Sequence, residues 1–258
     1  PDAADADGAE GEAASDDAGS PLDESSDAPT EATDGLLPAD AGAAEPADPV
    51  RVLVVNSLVR DSEVLAEAAQ DGILTIEYDG ATTTASELFD LIRQSLGERE
   101  ADSIAFVNHS SAGGGFQLAS DAAVELGDLL LSDAQQTFWR DLGGVLAEDG
   151  RLDLLACHLT AAQDGELLVR ELEALTGANV AASDDATGNA VYADWTLETD
   201  DVDAAATYFV ADELEAFGTQ LATTWYVDAD AMGANTGTSW DDAFAHLQDA
   251  LDNAALLS

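Results

Sequence analysis

Apolar positions along this chain fall into short runs that alternate with segments of helical spacing. "VRVLVVNS" (50–57) is an unbroken run rich in β-branched residues, the pattern of a strand covered on both faces. "DSEVLAEAAQDG" follows, with an Asp/Ser start and a Gly stop that predict a short helix. "ILTIEYDG" (73–80) predicts a second strand. In "TASELFDLIRQSLGE" (84–98), Leu88, Leu91, Ile92 and Leu96 share one helical face, with Ser86 as the expected cap. "SIAFVNHS" (103–110) predicts a third strand running into the glycine-rich loop "SSAGGG", and "FQLAS" a short hairpin arm. "SDAQQTFWRDLGGVLAEDG" (132–150) predicts an amphipathic helix, "RLDLLAC" (151–157) a fourth strand and "DGELLVRELEALTG" (164–177) another helix closed by glycine. "ANVAAS" (178–183) predicts a fifth strand, and "VYADWTLET" (191–199) alternates like an exposed one.

Strand and helix alternating through short connections predict an α/β domain over 50–200, with a mostly parallel sheet flanked by helices. Residues 201–221 read as a partly helical connection, and 222–258 as the start of a separate unit. Residues 1–49 lack the apolar surface that would offset the entropy of ordering, and predict a disordered acidic linker.

Charge narrows the partners. With 54 acidic and 7 basic residues, all seven arginine, the formal charge is −47. Such a field repels nucleic acid and anionic membrane surfaces and attracts cations, calcium among them, and basic peptides. No apolar run is long enough to span a bilayer. One cysteine excludes an internal disulfide framework and a multi-cysteine zinc site; the motifs call for no cofactor and no metal site, with calcium on the acidic surface left open. The piece has no signal peptide of its own and is expected to derive from a larger secreted or cell-surface protein kept soluble by its carboxylates.

In parallel sheets, sites form where strands end at their carboxyl edge. Two predicted strands end in reactive residues, the third in His109 and the fourth in Cys157. An imidazole near a thiol is the usual route to a thiolate, and the helix after Cys157 would add its N-terminal field. Amides of the loop through Ser110, Gly113 and Gly114 could approach a substrate oxyanion. The alternative is plain: a cysteine after "LDLLA" also suits a small buried apolar position, and a strand-end histidine a structural one. His158, next to Cys157, would point the opposite way in an extended chain and is a poor partner.

A strand ending in His, a helix, and a strand ending in Ala-Cys resemble caspase-like (clan CD) cysteine peptidases, here through "AFVNHSSAGG" and "LDLLACHLTAA". Residues 50 to about 199 also resemble an uncharacterised bacterial domain family near the N-terminus of giant surface proteins and adhesins, through "ACHLTAAQDGELLVRELEALTGANVAASDDATGN" and "ADWTLE". The resemblance implies a cysteine endopeptidase in which Cys157 attacks a peptide carbonyl and His109 protonates the leaving amine. Its substrate would be a peptide, its own polypeptide or another cell-surface component. Asp184 and Asp185, after the fifth strand, would select a basic residue before the cleaved bond, although loop carboxylates also serve as turn-formers. Caspase-like sites carry glycine directly after the histidine, whereas this chain has Ser110 and reaches its first following glycine at Gly113. That departure keeps a second reading open, a catalytically silent structural or adhesion module.

"TTWYVDADAMGANTGTSWDDAFAHLQDAL" resembles the N-terminal cap of a right-handed parallel β-helix, truncated before any full coil. Asp228, Asp230 and Gly233 open like a calcium loop, but Met232 and Ser239 stand at ligand positions and break the pattern. His246, between apolar helix positions, reads as a structural side chain.

Overall fold

The computed structural model describes residues 48–111, 114–221, 226–233 and 243–254. Residues 1–47 of the expected acidic linker, Gly113 and Ser239 lie outside the described residues, as do 222–225, 234–242 and 255–258 of the expected β-helix cap. Five parallel strands form the central sheet, in spatial order β2 (Leu74–Tyr78), β1 (Arg51–Asn56), β3 (Ala101–Val107), β7 (Leu146–Leu155) and β8 (Asn179–Ala182). Between β1 and β2 runs α1 (Ser62–Glu67), and between β2 and β3 runs α2 (Ala85–Leu96). After β3 the chain makes a three-stranded antiparallel sheet of β4 (Ser110–Ser111), β5 (Gly115–Ala119) and β6 (Ala122–Val124), then α3 (Leu126–Leu131) and α4 (Asp133–Gly143). Helix α5 (Gln163–Thr176) joins β7 to β8.

Beyond β8 come four two-residue strands, β9 (Ala186–Thr187), β10 (Ala193–Asp194), β11 (Thr196–Leu197) and β12 (Val202–Asp203). The helices α6 (Ala204–Tyr208), α7 (Ala211–Leu214) and α8 (Leu247–Ala254) complete the described elements.

Period-two alternation divides the sheet between two cores. Val52, Val54, Ile104, Phe106, Leu152, Leu154 and Ala156 face α2, α4 and α5, where Trp139 packs edge-on against Phe106 with ring centroids 6.0 Å apart. Leu53, Val55, Ala105, Val107, Leu155 and Cys157 face the other way, toward α1 and the segment ending at Leu221. Residues 201–221, expected as a connection, thus supply Tyr208, Phe209, Leu214, Phe217 and Leu221 to the second core.

Three local expectations are corrected. Thr84, not Ser86, caps α2: its side chain accepts from the Glu87 N–H, while the Glu87 carboxylate accepts from the Thr84 N–H at 2.9 Å. This reciprocal pair satisfies two otherwise open donors, so Thr84→Ala should lower stability by about 1 kcal/mol in urea titration. No measurable change would show that the cap is dispensable. The helix expected to reach residue 150 stops at Gly143, and "LAEDG" instead opens β7. A register shift where Ala101 and Ser103 meet β7 accommodates that early start. The alternating "VYADWTLET" forms only the short strands β10 and β11, because Trp195 and Leu197 turn into the second core.

Candidate active site

His109 and Cys157 are placed by the ends of adjacent parallel strands. One residue, Asn108, separates Val107, the end of β3, from His109, and one, Ala156, separates Leu155, the end of β7, from Cys157. A buried polar network fixes the histidine end. Asn56 Nδ2 donates to Asn108 Oδ1 at 2.8 Å, and the Tyr78 hydroxyl lies 3.2 Å from the same oxygen. Tyr78 also donates to the Leu118 carbonyl at 2.6 Å, and Asn56 Nδ2 to the Gln117 carbonyl at 3.2 Å. This network ties β1, β2 and β5 to the residue directly before His109. The signal for it in the sequence is a repeated Val-Asn: β1 ends in Val55-Asn56, and Asn108 directly follows Val107 at the end of β3.

Cys157 is fully buried. Its Sγ accepts from the Thr187 N–H at 3.2 Å and lies 3.6 Å from the Thr187 carbonyl oxygen. Burial pushes the thiol pKa up to about 11, against backbone contacts with Thr187 and Leu221 that favour the thiolate. His109 is pushed down, first by burial; the Leu221 backbone pulls it up, Arg60 pushes it down and the Leu58 backbone pulls it up. Its Nδ1 is buried without a hydrogen-bond partner. Burial thus favours the uncharged form of both groups. Among the described residues no hydrogen bond joins them; the backbone of Leu221 meets both.

The remaining expected residues take different places. Ser110 begins β4 and pairs with Phe116. Gly114 adopts φ +90°, and a Cβ there would lie 3.0 Å from the Leu159 carbonyl oxygen and 3.1 Å from Gly165 N. The loop after His109 therefore packs against the turn after Cys157, which brings the two sequence blocks together. His158 is exposed at φ +55°, and its N–H donates to the Asp185 carbonyl at 2.6 Å, so it stands outside the pair.

Asp184 and Asp185 gather with Glu198, their carboxylate oxygens within 4.8 Å of one another. Glu198 Oε2 accepts from the Asp184 N–H at 2.8 Å. Partial desolvation, followed by repulsion from Glu198 and Asp194, raises the pKa of Asp185. These three side chains are the described group able to hold a cation. In the last segment, the Asp228 carboxylate accepts from the Asp230 N–H at 2.9 Å, a local turn.

A family described as a domain of unknown function, DUF4347, matches residues 52–221. The chain belongs to this family. The match begins in β1 and ends at Leu221, so the family unit includes the sheet, both strand-end residues and the segment that closes the second core. Comparison with curated proteins and with solved structures gives no match. Among the described residues no helix is long and apolar enough to cross a membrane.

Proposed function

We propose that this DUF4347 domain is a caspase-like cysteine endopeptidase of a large exported cell-surface protein, with Cys157 as nucleophile and His109 as acid–base group. One observation carries the reading: two neighbouring parallel strands deliver a thiol and an imidazole to the same sheet edge, and one peptide backbone meets both. Sγ would attack a peptide carbonyl, its proton passing to His109 and then to the leaving amine. Amides near Ser110 would face the developing oxyanion. Asp184 and Asp185, with Glu198, would favour a basic residue on the bound peptide.

The test is hydrolysis of a mixed peptide pool by the full chain. Cys157→Ala should abolish cleavage, and His109→Ala should slow it by roughly 100-fold or more. Turnover that survives Cys157→Ala would remove the peptidase reading. A second reading, a silent structural or adhesion module, is favoured by Ser110 in place of glycine and by the protonated, enclosed thiol. It expects no thiol-dependent turnover under any condition.

A further inference from the structure

The backbone that meets both Cys157 and His109 is the chain's own. After α7, residues Thr219–Leu221 run antiparallel to residues Thr187–Asn189. The Leu221 N–H donates to the Thr187 carbonyl at 2.8 Å, and the Asn189 N–H donates to the Thr219 carbonyl at 2.8 Å, with Gln220 bridged to Gly188 between them. Thr187 ties this strap to the thiol. Its carbonyl oxygen accepts from Leu221 and lies 3.6 Å from Cys157 Sγ, while its N–H donates to the same sulfur at 3.2 Å. Leu221 is fully buried, in the core that also holds Cys157.

The strap and the strip that receives it differ in how firmly they are held. The strip is anchored without the strap: β9 pairs with β10, Trp195 Nε1 donates to Asn189 Oδ1 at 2.7 Å, and Asn189 Nδ2 donates to the Leu214 carbonyl at 2.6 Å. Among the described residues, the strap is held by its two main-chain hydrogen bonds and the Leu221 side chain. Gly188 permits the close approach, since it adopts φ +139° and a Cβ there would stand 2.5 Å from the Thr219 oxygen. The seam is also under-bonded. Thr187 Oγ1, Thr219 Oγ1 and His109 Nδ1 are buried without a hydrogen-bond partner. A buried polar group left unpaired costs free energy that opening to solvent or to a polar ligand returns. Segments held by few buried contacts open ahead of the fold as a whole.

We propose that Thr219–Leu221 is an inhibitory strap: it occupies the peptide-binding strip beside Cys157 and His109, and the site works only in molecules whose strap has left. The proposal rests on the peptidase reading given above and adds its regulation. An extended peptide needs main-chain partners, and the Thr187 carbonyl and the Asn189 N–H are an acceptor and a donor set for one. In the closed chain both are taken by the strap. The recess that Leu221 leaves in the second core would take an apolar side chain of similar size. Turnover then scales with the fraction of open molecules. The switch itself makes and breaks no covalent bond.

The experiment follows two rates in the full chain: labelling of Cys157 by iodoacetamide, which reports opening, and hydrolysis of a mixed peptide pool. Wild type is compared with Leu221→Ala and Gly188→Val, each also made with Cys157→Ala, and folding is checked by circular dichroism. Truncating the buried leucine should raise both rates roughly 10-fold or more. Gly188→Val should raise both as well, because its side chain displaces the Thr219 carbonyl. Should either variant misfold, Gln220→Gly loosens the same strand at a half-buried position and should raise both rates roughly 2- to 5-fold. Every gain in hydrolysis should vanish with Cys157→Ala. Faster labelling with Cys157-dependent hydrolysis still at the wild-type rate would overturn inhibition and leave the peptidase reading standing. Faster labelling with no Cys157-dependent hydrolysis in any chain would overturn both. Labelling at the wild-type rate in the folded variants would show that the strap does not cover the thiol, and would overturn the proposal.

Discussion

Iodoacetamide should modify Cys157 of the folded chain at least ~300-fold more slowly than a free cysteine at about pH 7.5. Ionisation alone gives that factor, because a thiol near pKa 11 is far less ionised there than one with an ordinary pKa of about 8.5. Enclosure under Leu221 slows it further. The rate should keep rising with pH toward about 11, with no plateau near neutrality. Stability follows the same titration. A thiol pKa raised in the folded state stabilises below the unfolded value and loses that contribution as pH rises to about 11. Loosening the covering strand should release the thiol. Gly188→Val places a side chain where the Thr219 carbonyl now sits, and should speed labelling. A wild-type rate equal to that of a small thiol, levelling off near neutrality, would rule out the closed arrangement.

Arg151→Ala should lower folding stability by about 3–5 kcal/mol, the range for stripping a buried charge of its partner. Asp153 is fully buried; Arg151 Nε donates to its Oδ1 at 2.8 Å and its Oδ2 at 3.1 Å. The Tyr208 hydroxyl donates to the same carboxylate and shares a 2.7 Å hydrogen bond with Ser103 Oγ. The network thus clamps the last turn of α6 to the middle of β3 and β7. Burial raises the Asp153 pKa, and Arg151 is the strongest opposing influence. A carboxyl raised in the folded state favours folding below its unfolded pKa, and that contribution is lost as pH rises through the folded value. Removing Arg151 raises it further, so the variant should suffer more near pH 7 than near pH 4.5. Adding Asp153→Asn should recover part of the loss, read from urea titrations at both pH values. A loss below roughly 1 kcal/mol, or one independent of pH, would show that the pair is not the clamp.

The sheet was legible because each of its strands announces itself locally. β1, β3 and β7 are apolar runs whose alternate residues serve different cores, and helices of clear periodicity separate them. The positions of His109 and Cys157 at strand ends followed from that pattern. The cover over them did not. Tyr208, Phe209, Leu214, Phe217 and Leu221 are scattered among Ala, Asp and Glu, and the helices there span five and four residues. Such pieces have no period to detect and are ordered by the surface they cover. The raised pKa of the thiol was hidden for a related reason. A helix start is visible in a sequence, but the burial of Cys157 within the second core is not.

The strand that occupies the site and the strands that build it belong to one chain, so their encounter is intramolecular. Its effective concentration is on the order of millimolar for a closely tethered segment and does not fall on dilution. A thiol reagent would therefore reach Cys157 chiefly after Thr219–Leu221 has left Thr187 and Asn189. Access to the thiol is then governed by two main-chain hydrogen bonds and one buried leucine rather than by how much of an outside ligand is supplied.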